Sequence, residues 1–343
     1  LPLSDMLTNL HAGDIILCCY IILFPLIVRI SRVHKLNGSY SLLLSVVSIL
    51  AVVVITLLLL KNRFDPEFEK YIKFEKLFFK QQYDKIICLH EQDPSRSMIG
   101  QYYYNLALSE KGQLCERIFY GDQDFGVRSL VLPREPEYIN RSLYFYYTVG
   151  LVNEAHHIAY ESMVKYGYRP DNLKMLAKTE IINGNYKSAK RYLGVMKKTL
   201  NYRKWADRYI AMLDDPSLIL SDSELGGKIR LLPRIDFFIS QDDMANIDFM
   251  LLANPRNKIA FEYKMAWFLL EKDYKAVVYQ VKRMKDMNYY KLPEHIAEAI
   301  LLFIHHKHEL PYLGDFTVNI ETANRFGLFL NILDNTSDQK VPE

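Results

Sequence analysis

The strongest constraint on this chain is a register. Pro136, Gly150 and Ala155 recur 34 residues later as Pro170, Gly184 and Ala189. A fixed period of this length marks a supersecondary unit that is copied and stacked, because one helix pair cannot bury its apolar face alone. In the second copy, Leu173, Leu176 and Ala177 fall on one helical face at i, i+3, i+4 spacing. Gly184-Asn185 then supplies the turn, where glycine tolerates positive φ. Tyr186, Ala189 and Leu193 resume the period on a second helix. Ala177 and Ala189 are small where the two helices must approach closely. The first copy keeps Gly150, Val152 and Ala155 but has Ser142 and Leu143 in place of the large-small pair.

Weaker copies flank these two. Tyr104, Leu108, Gly112 and Leu114 repeat the helix, glycine turn, helix order. Phe74, Leu77 and Phe78 precede a turn at Gln81-Gln82, followed by Tyr83 and Ile86. Phe261, Met265 and Phe268 precede a turn at Lys272-Asp273, followed by Tyr274 and Val277. The pattern resembles the tetratricopeptide repeat, and departs from it at Glu180, where that family places an aromatic. The chain therefore divides into a membrane region (1–63), a helical-repeat domain (64–215), a linker or irregular insert (216–240), further helical hairpins (241–333) and a disordered tail (334–343). The insert is marked by Pro216, Gly226, Gly227 and Pro233, and the tail is polar and aperiodic.

The membrane assignment rests on Leu42 to Leu60, 19 residues without a charge. As a helix this run would span about 28 Å, close to a bilayer core. A second segment at about 15–30 is shorter, and the two predict a helical hairpin with Arg29 to Tyr40 as its loop. Arg29, Arg32 and Lys35 in that loop favour its placement inside the cell and the repeat domain outside. The expected fold class is all-α: N-terminal transmembrane helices followed by a tetratricopeptide-like α-solenoid of antiparallel helix pairs. The chain begins with Leu1, not Met, and reads as the C-terminal part of a longer polytopic protein.

Charge and motif content narrow the functional classes. Residues 1–63 hold five of the 43 Lys and Arg and two of the 40 acids, so the remainder is balanced at 38 of each. A neutral domain lacks the electrostatic footprint of a nucleic-acid binder. Cys18 and Cys19 lie in the first apolar segment, and Cys88 and Cys115 follow no metal spacing. His305 and His308 share a helix face, yet they supply too few ligands for a metal site. The stretch Gly121 to Gly126 has its glycine and its twelfth position wrong for a calcium loop. No phosphate-binding loop, dinucleotide fingerprint or nucleophile elbow is present, and no catalytic residue or cofactor is expected.

Tyrosine is the compositional oddity, at 25 of 343 residues, and it clusters on first helices of the repeats. Those helices line the concave face of a solenoid, so Tyr103, Tyr104, Tyr146 and Tyr147 are candidate groove residues. Glu262 beside Phe261 and Tyr263, and His295 beside Pro293 and Ile296, are ionisable groups set in apolar helices. With Tyr263 they complete the candidate set.

The segment Asn254 to Tyr263, with Leu292-Pro293-Glu294-His295 and Glu298-Ala299, resembles the C-terminal part of an uncharacterised family of Bacteroidota integral membrane proteins. That resemblance implies several upstream spans, a bacterial inner membrane and a helical-repeat C-terminus; together with the loop charges, it leads to the expectation of a periplasmic repeat domain. Two functions are expected from different classes. One is a membrane-anchored scaffold binding a protein or peptide. The other is the acceptor-recognition region, for a glycan or protein, of a larger glycosyltransferase-like membrane enzyme. The expected partners are therefore a protein, peptide or glycan, with the bilayer held by the N-terminal helices and no nucleic acid.

Overall fold

A computed structural model describes residues 65–337 together with Arg29, Tyr40, Leu43, Val46, Val47, Leu50, Ala51, Val53 and Val54. The chain divides into two compact units, Leu1–Pro66 and Glu67–Glu343. In the first, the nine earlier residues are helical and exposed. The expected N-terminal transmembrane helices at 15–30 and 42–60 are not supported: no helix among the described residues is long and apolar enough to cross a membrane. A span needs about 20 consecutive apolar residues, and most positions of both segments lie outside the described residues.

The second unit is built from helices and short 3-10 turns. Helices α1 (Pro66–Phe79), α2 (Tyr83–Gln92), α3 (Met98–Glu110) and the single turn α4 (Leu114–Arg117) come first. Next are α5 (Ile139–Val149), α6 (Val152–Tyr166), α7 (Pro170–Ile182), α8 (Tyr186–Lys197) and α9 (Arg203–Asp214). The chain continues through α10 (Pro216–Ser221), α11 (Leu225–Leu231), α12 (Asp243–Ala253) and α13 (Lys258–Leu270). It ends with α14 (Tyr274–Gln280), α15 (Glu294–Lys307) and α16 (Ile320–Ser337). From α5 to α9 each helix packs on the next, the contact pattern that a 34-residue helix-pair period requires. Pro170 opens α7 at a position where its missing N–H costs nothing.

The turns fall at the glycine and glutamine positions read from the period. Gln81, Gly112, Gly150 and Gly184 all have positive φ. Gly150 is constrained twice. Its φ of 92° suits only glycine well, and a Cβ there would sit 2.8 Å from Leu231 Cβ and 3.0 Å from the Leu231 carbonyl oxygen. The end of α11 therefore rests directly on the α5–α6 turn. Gly184 has a similar φ of 77° but open space around it, so it serves the turn alone.

Two features depart from the expected organisation. Segment 216–240, expected as a linker or irregular insert, forms α10 and α11 in its first half, and Leu225 and Lys228 are buried there. Proline and glycine at the ends of two short helices produced the misleading composition. Helix α16 runs through Ser337, into the stretch expected to be a disordered tail, and residues 338–343 lie outside the described residues. Packing also goes beyond sequential neighbours. Helix α13 lies against α3, α4 and α5. There Tyr263 meets Phe145 edge-on at 5.1 Å, and Asn257 Nδ2 donates to the Val149 carbonyl at 2.8 Å. A plain solenoid makes only nearest-neighbour contacts; here the C-terminal helices close onto the N-terminal pairs.

Ala189 has no exposed surface and lies in the α7–α8 contact. Replacing it with Phe should overpack that hairpin and cost about 1–3 kcal/mol. Urea unfolding of the full chain should show a lowered midpoint, and an unchanged midpoint would place the alanine outside the helix contact.

Candidate functional site

The sequence-derived candidates do not form one groove. Tyr103, Tyr104, Tyr146, Tyr263 and Glu262 are buried, all with at most 1% of their surface exposed. The rings fill the interior, and the hydroxyls of Tyr103, Tyr104 and Tyr146 are spent on internal partners. Tyr103 donates to Glu75 at 2.8 Å, Tyr104 to the Arg117 carbonyl at 2.7 Å, and Tyr146 to Asp243 at 2.7 Å. Tyr104 also stacks on the buried His90 ring, 4.2 Å between centroids. Large aromatics at helix–helix contacts are consumed as core, and that use outweighs display on a surface.

Glu262 accepts from Tyr289 Oη at 2.6 Å and has Lys258 Nζ at 3.5 Å. Burial pushes its pKa up, opposed by Tyr289 and Lys258. Its neighbour Cys115 is buried and directs its thiol at the Glu262 carbonyl, 3.7 Å away. Cys88 is exposed instead, and both are free thiols. His295 is half-buried in a separate region, its Nδ1 3.0 Å from Glu298 Oε2 and its ring edge-on to Phe119 at 4.9 Å. Among the described residues, no group of three or more His, Cys, Asp and Glu side chains could hold a metal ion.

Of the candidates, Tyr147 lines a cleft. This cavity, about 120 Å³ in volume, is lined by residues of α1, the α1–α2 turn, α2, α3, α5, α7 and α9 and by Glu224, the residue before α11. One wall is aromatic. Phe78 and Phe79 meet Tyr144 at 5.7 and 5.3 Å between ring centroids. The opposite wall carries Trp205, which packs on Tyr209 at 4.3 Å. The Tyr83 and Tyr144 hydroxyls make no hydrogen bond within the described residues, and their charged neighbours act only at a distance.

The floor is a carboxylate with four donors. Glu224 Oε1 accepts from Lys178 Nζ at 2.6 Å and Tyr147 Oη at 2.9 Å. Its Oε2 accepts from Gln81 Nε2 at 2.9 Å, with Tyr209 Oη at 3.5 Å. Burial alone would raise the Glu224 pKa. The Lys178 charge, the hydrogen bonds from Lys178 and Tyr147, and the nearby Lys228 charge outweigh it, so the carboxyl titrates below its ordinary value. Lys178 moves the matching way: burial opposes its charge, and Glu224 and Tyr209 raise it. Beside this pair, Lys228 donates to Glu110 at 2.7 Å and to the Thr148 carbonyl at 3.1 Å.

One charged pair in the cleft is left loose. Asp171 and Lys174 lie one turn apart on α7, with 3.9 Å between carboxylate and ammonium, too long for a hydrogen bond. The Lys174 ammonium lies over the Tyr202 ring at 4.6 Å and near Trp205 at 6.0 Å. Burial lowers its pKa, with Asp171 opposing. The period could have found three of these residues, since Asp171, Lys174 and Lys178 fall at i, i+3 and i+7 on a first helix. Glu224 gave no signal, because it sits in the segment whose prolines and glycines read as a linker.

Compared with known proteins, the chain matches over residues 5–342 the family of unknown function DUF6057. It belongs to that family. No curated protein and no solved structure matches it.

Removing Lys178 leaves the Glu224 carboxylate buried with one counter-charge fewer. Both side chains are less than a fifth exposed, so Lys178→Met should cost about 3–5 kcal/mol at pH 7. A depressed carboxyl pKa contributes stability above the ordinary carboxylate range, and that contribution disappears as pH falls through the folded-state value. The loss should therefore shrink between pH 7 and pH 3 in urea unfolding of the two proteins. A loss of equal size at both pH values would separate the lysine from the Glu224 ionisation.

Proposed function

We propose that this DUF6057 chain is a scaffold of tetratricopeptide-like helix pairs that holds a segment of a protein or peptide partner in the cleft at Phe79, Tyr144, Lys174 and Trp205. The observation that carries this reading is the state of the cleft's polar groups. The floor charges are already neutralised by one another. The rest of the lining is aromatic, with two unspent tyrosine hydroxyls and a loose Asp171–Lys174 pair. An apolar or aromatic side chain from the partner fits between the rings. The amide groups that flank it in the partner's backbone supply donors for Asp171 and acceptors for Lys174 and the hydroxyls. Aromatic anchors in desolvated pockets dominate binding of this kind.

A second reading uses the same residues. A pyranose ring also presents an apolar face for Trp205 and Tyr144, with hydroxyls for Asp171 and Lys174. In that reading the cleft recognises the acceptor of a larger transferase.

Peptide display against the full chain, with a glycan array in parallel, separates the two. Selected peptides should lose tenfold or more in affinity with Lys174→Glu and with Phe79→Ala, two changes at the rim. Peptides that bind both variants as well as the parent would remove the cleft from recognition. Glycans that bind with that same sensitivity, in the absence of such peptides, would move the assignment to the second reading.

A further inference from the structure

The α8–α9 hairpin carries a charge asymmetry that residues 64–343 as a whole do not. Between Glu180 and Asp207 the sequence has seven Lys and Arg and no acid. All seven cations are exposed. Lys197 is spent on Asp207 at 2.8 Å, and Arg203 Nε donates to the Lys197 carbonyl at 3.3 Å. Lys187, Lys190, Arg191, Lys198 and Lys204 make no ion pair within the described residues.

These cations are ordered by the helix. Lys187, Lys190, Arg191 and Lys198 follow i, i+3, i+4 and i+11 spacing. That places them on the face opposite Ala189, Leu193 and Met196, which α8 buries. At the helical rise the row is about 16 Å long. Gly194 stands within it with open space around its Cα, so no side chain projects between Arg191 and Lys198. Where the row ends the chain turns into α9, and Leu200 in that turn is 93% exposed. This leucine has Lys197 and Lys198 before it and Arg203 and Lys204 after it.

We infer that the α8–α9 hairpin docks on the surface of an anionic lipid bilayer, with headgroup phosphates along the α8 cations and Leu200 in the acyl region behind them. Two features select this occupant. A small anion is held within one helical turn, whereas a row of cations three turns long is matched by an array of negative charges. A nucleic acid or an acidic peptide supplies such an array but leaves Leu200 in water. A bilayer places hydrocarbon directly behind its anions, so the cations and the leucine they flank are satisfied together. Neither Leu200 nor the α8 cations line the cleft at Trp205, so this surface stands apart from the recognition reading.

The test is hydrogen exchange over residues 186–204 of the full chain, a local readout that ignores adsorption elsewhere on the molecule. Vesicles of phosphatidylcholine alone are compared with vesicles containing a quarter phosphatidylglycerol. The anionic vesicles should slow exchange of the Thr199, Leu200 and Asn201 amides several-fold, and the neutral vesicles should not. Higher salt should weaken that protection. Leu200→Ser and the double variant Lys187→Glu/Arg191→Glu change only exposed positions, and each should remove most of it. Equal protection by both kinds of vesicle, protection by neither, or protection indifferent to Leu200→Ser would each overturn the inference. Oligouridylate or polyglutamate that protects the turn where anionic vesicles do not would also overturn it, and would assign the face to that polyanion.

Discussion

The Glu224 carboxylate is the constraint on which the rest of the cleft depends. It sits just before a seven-residue helix that would have no stability in isolation, yet it gathers side chains from the α1–α2 turn, α5, α7 and α9. A buried carboxylate is expensive unless its lone pairs are filled, and here four donors surround it. The same contact therefore has two effects. It fixes the α10–α11 insert against the helix pairs, and it neutralises the cleft floor, leaving Asp171 and Lys174 outside its hydrogen-bond network. The Lys228–Glu110 pair behind it extends the arrangement into α3.

What was legible in the sequence was the local geometry. Glycine at a helix end dictates positive φ, so Gly150 and Gly184 located their turns, and the small Ala189 located a helix contact. A period reports which face of a helix is buried. It does not report whether that face is covered by the next repeat or by a distant element, and so the packing of α13 on α3 to α5 was invisible. The tyrosine clusters misled for the same reason. Tyr103 and Tyr146 stand on first helices, as a groove residue would, but those helices are covered on both sides. Composition failed at Glu224 because proline and glycine punctuate short helices as readily as they mark linkers.

Two of the domain's cavities differ in chemistry. The cleft is aromatic and internally charge-paired, and it draws on helices from both ends of the 34-residue register. A C-terminal groove has an aliphatic and aromatic lining with Lys272, Glu298 and Arg325 as its charged residues, and is made from α13 to α16 and the turn between α13 and α14.

The most direct measurement is hydrogen exchange on the full chain with Glu224→Gln, which keeps an acceptor but removes the charge. If Glu224 holds the cleft together, amides of the α1–α2 turn, of α7 near Lys178 and of α10–α11 should exchange faster, while those of α15 should not change. Exchange that is unaltered at these sites, or faster everywhere to the same extent, would contradict the claim that this carboxylate organises the site.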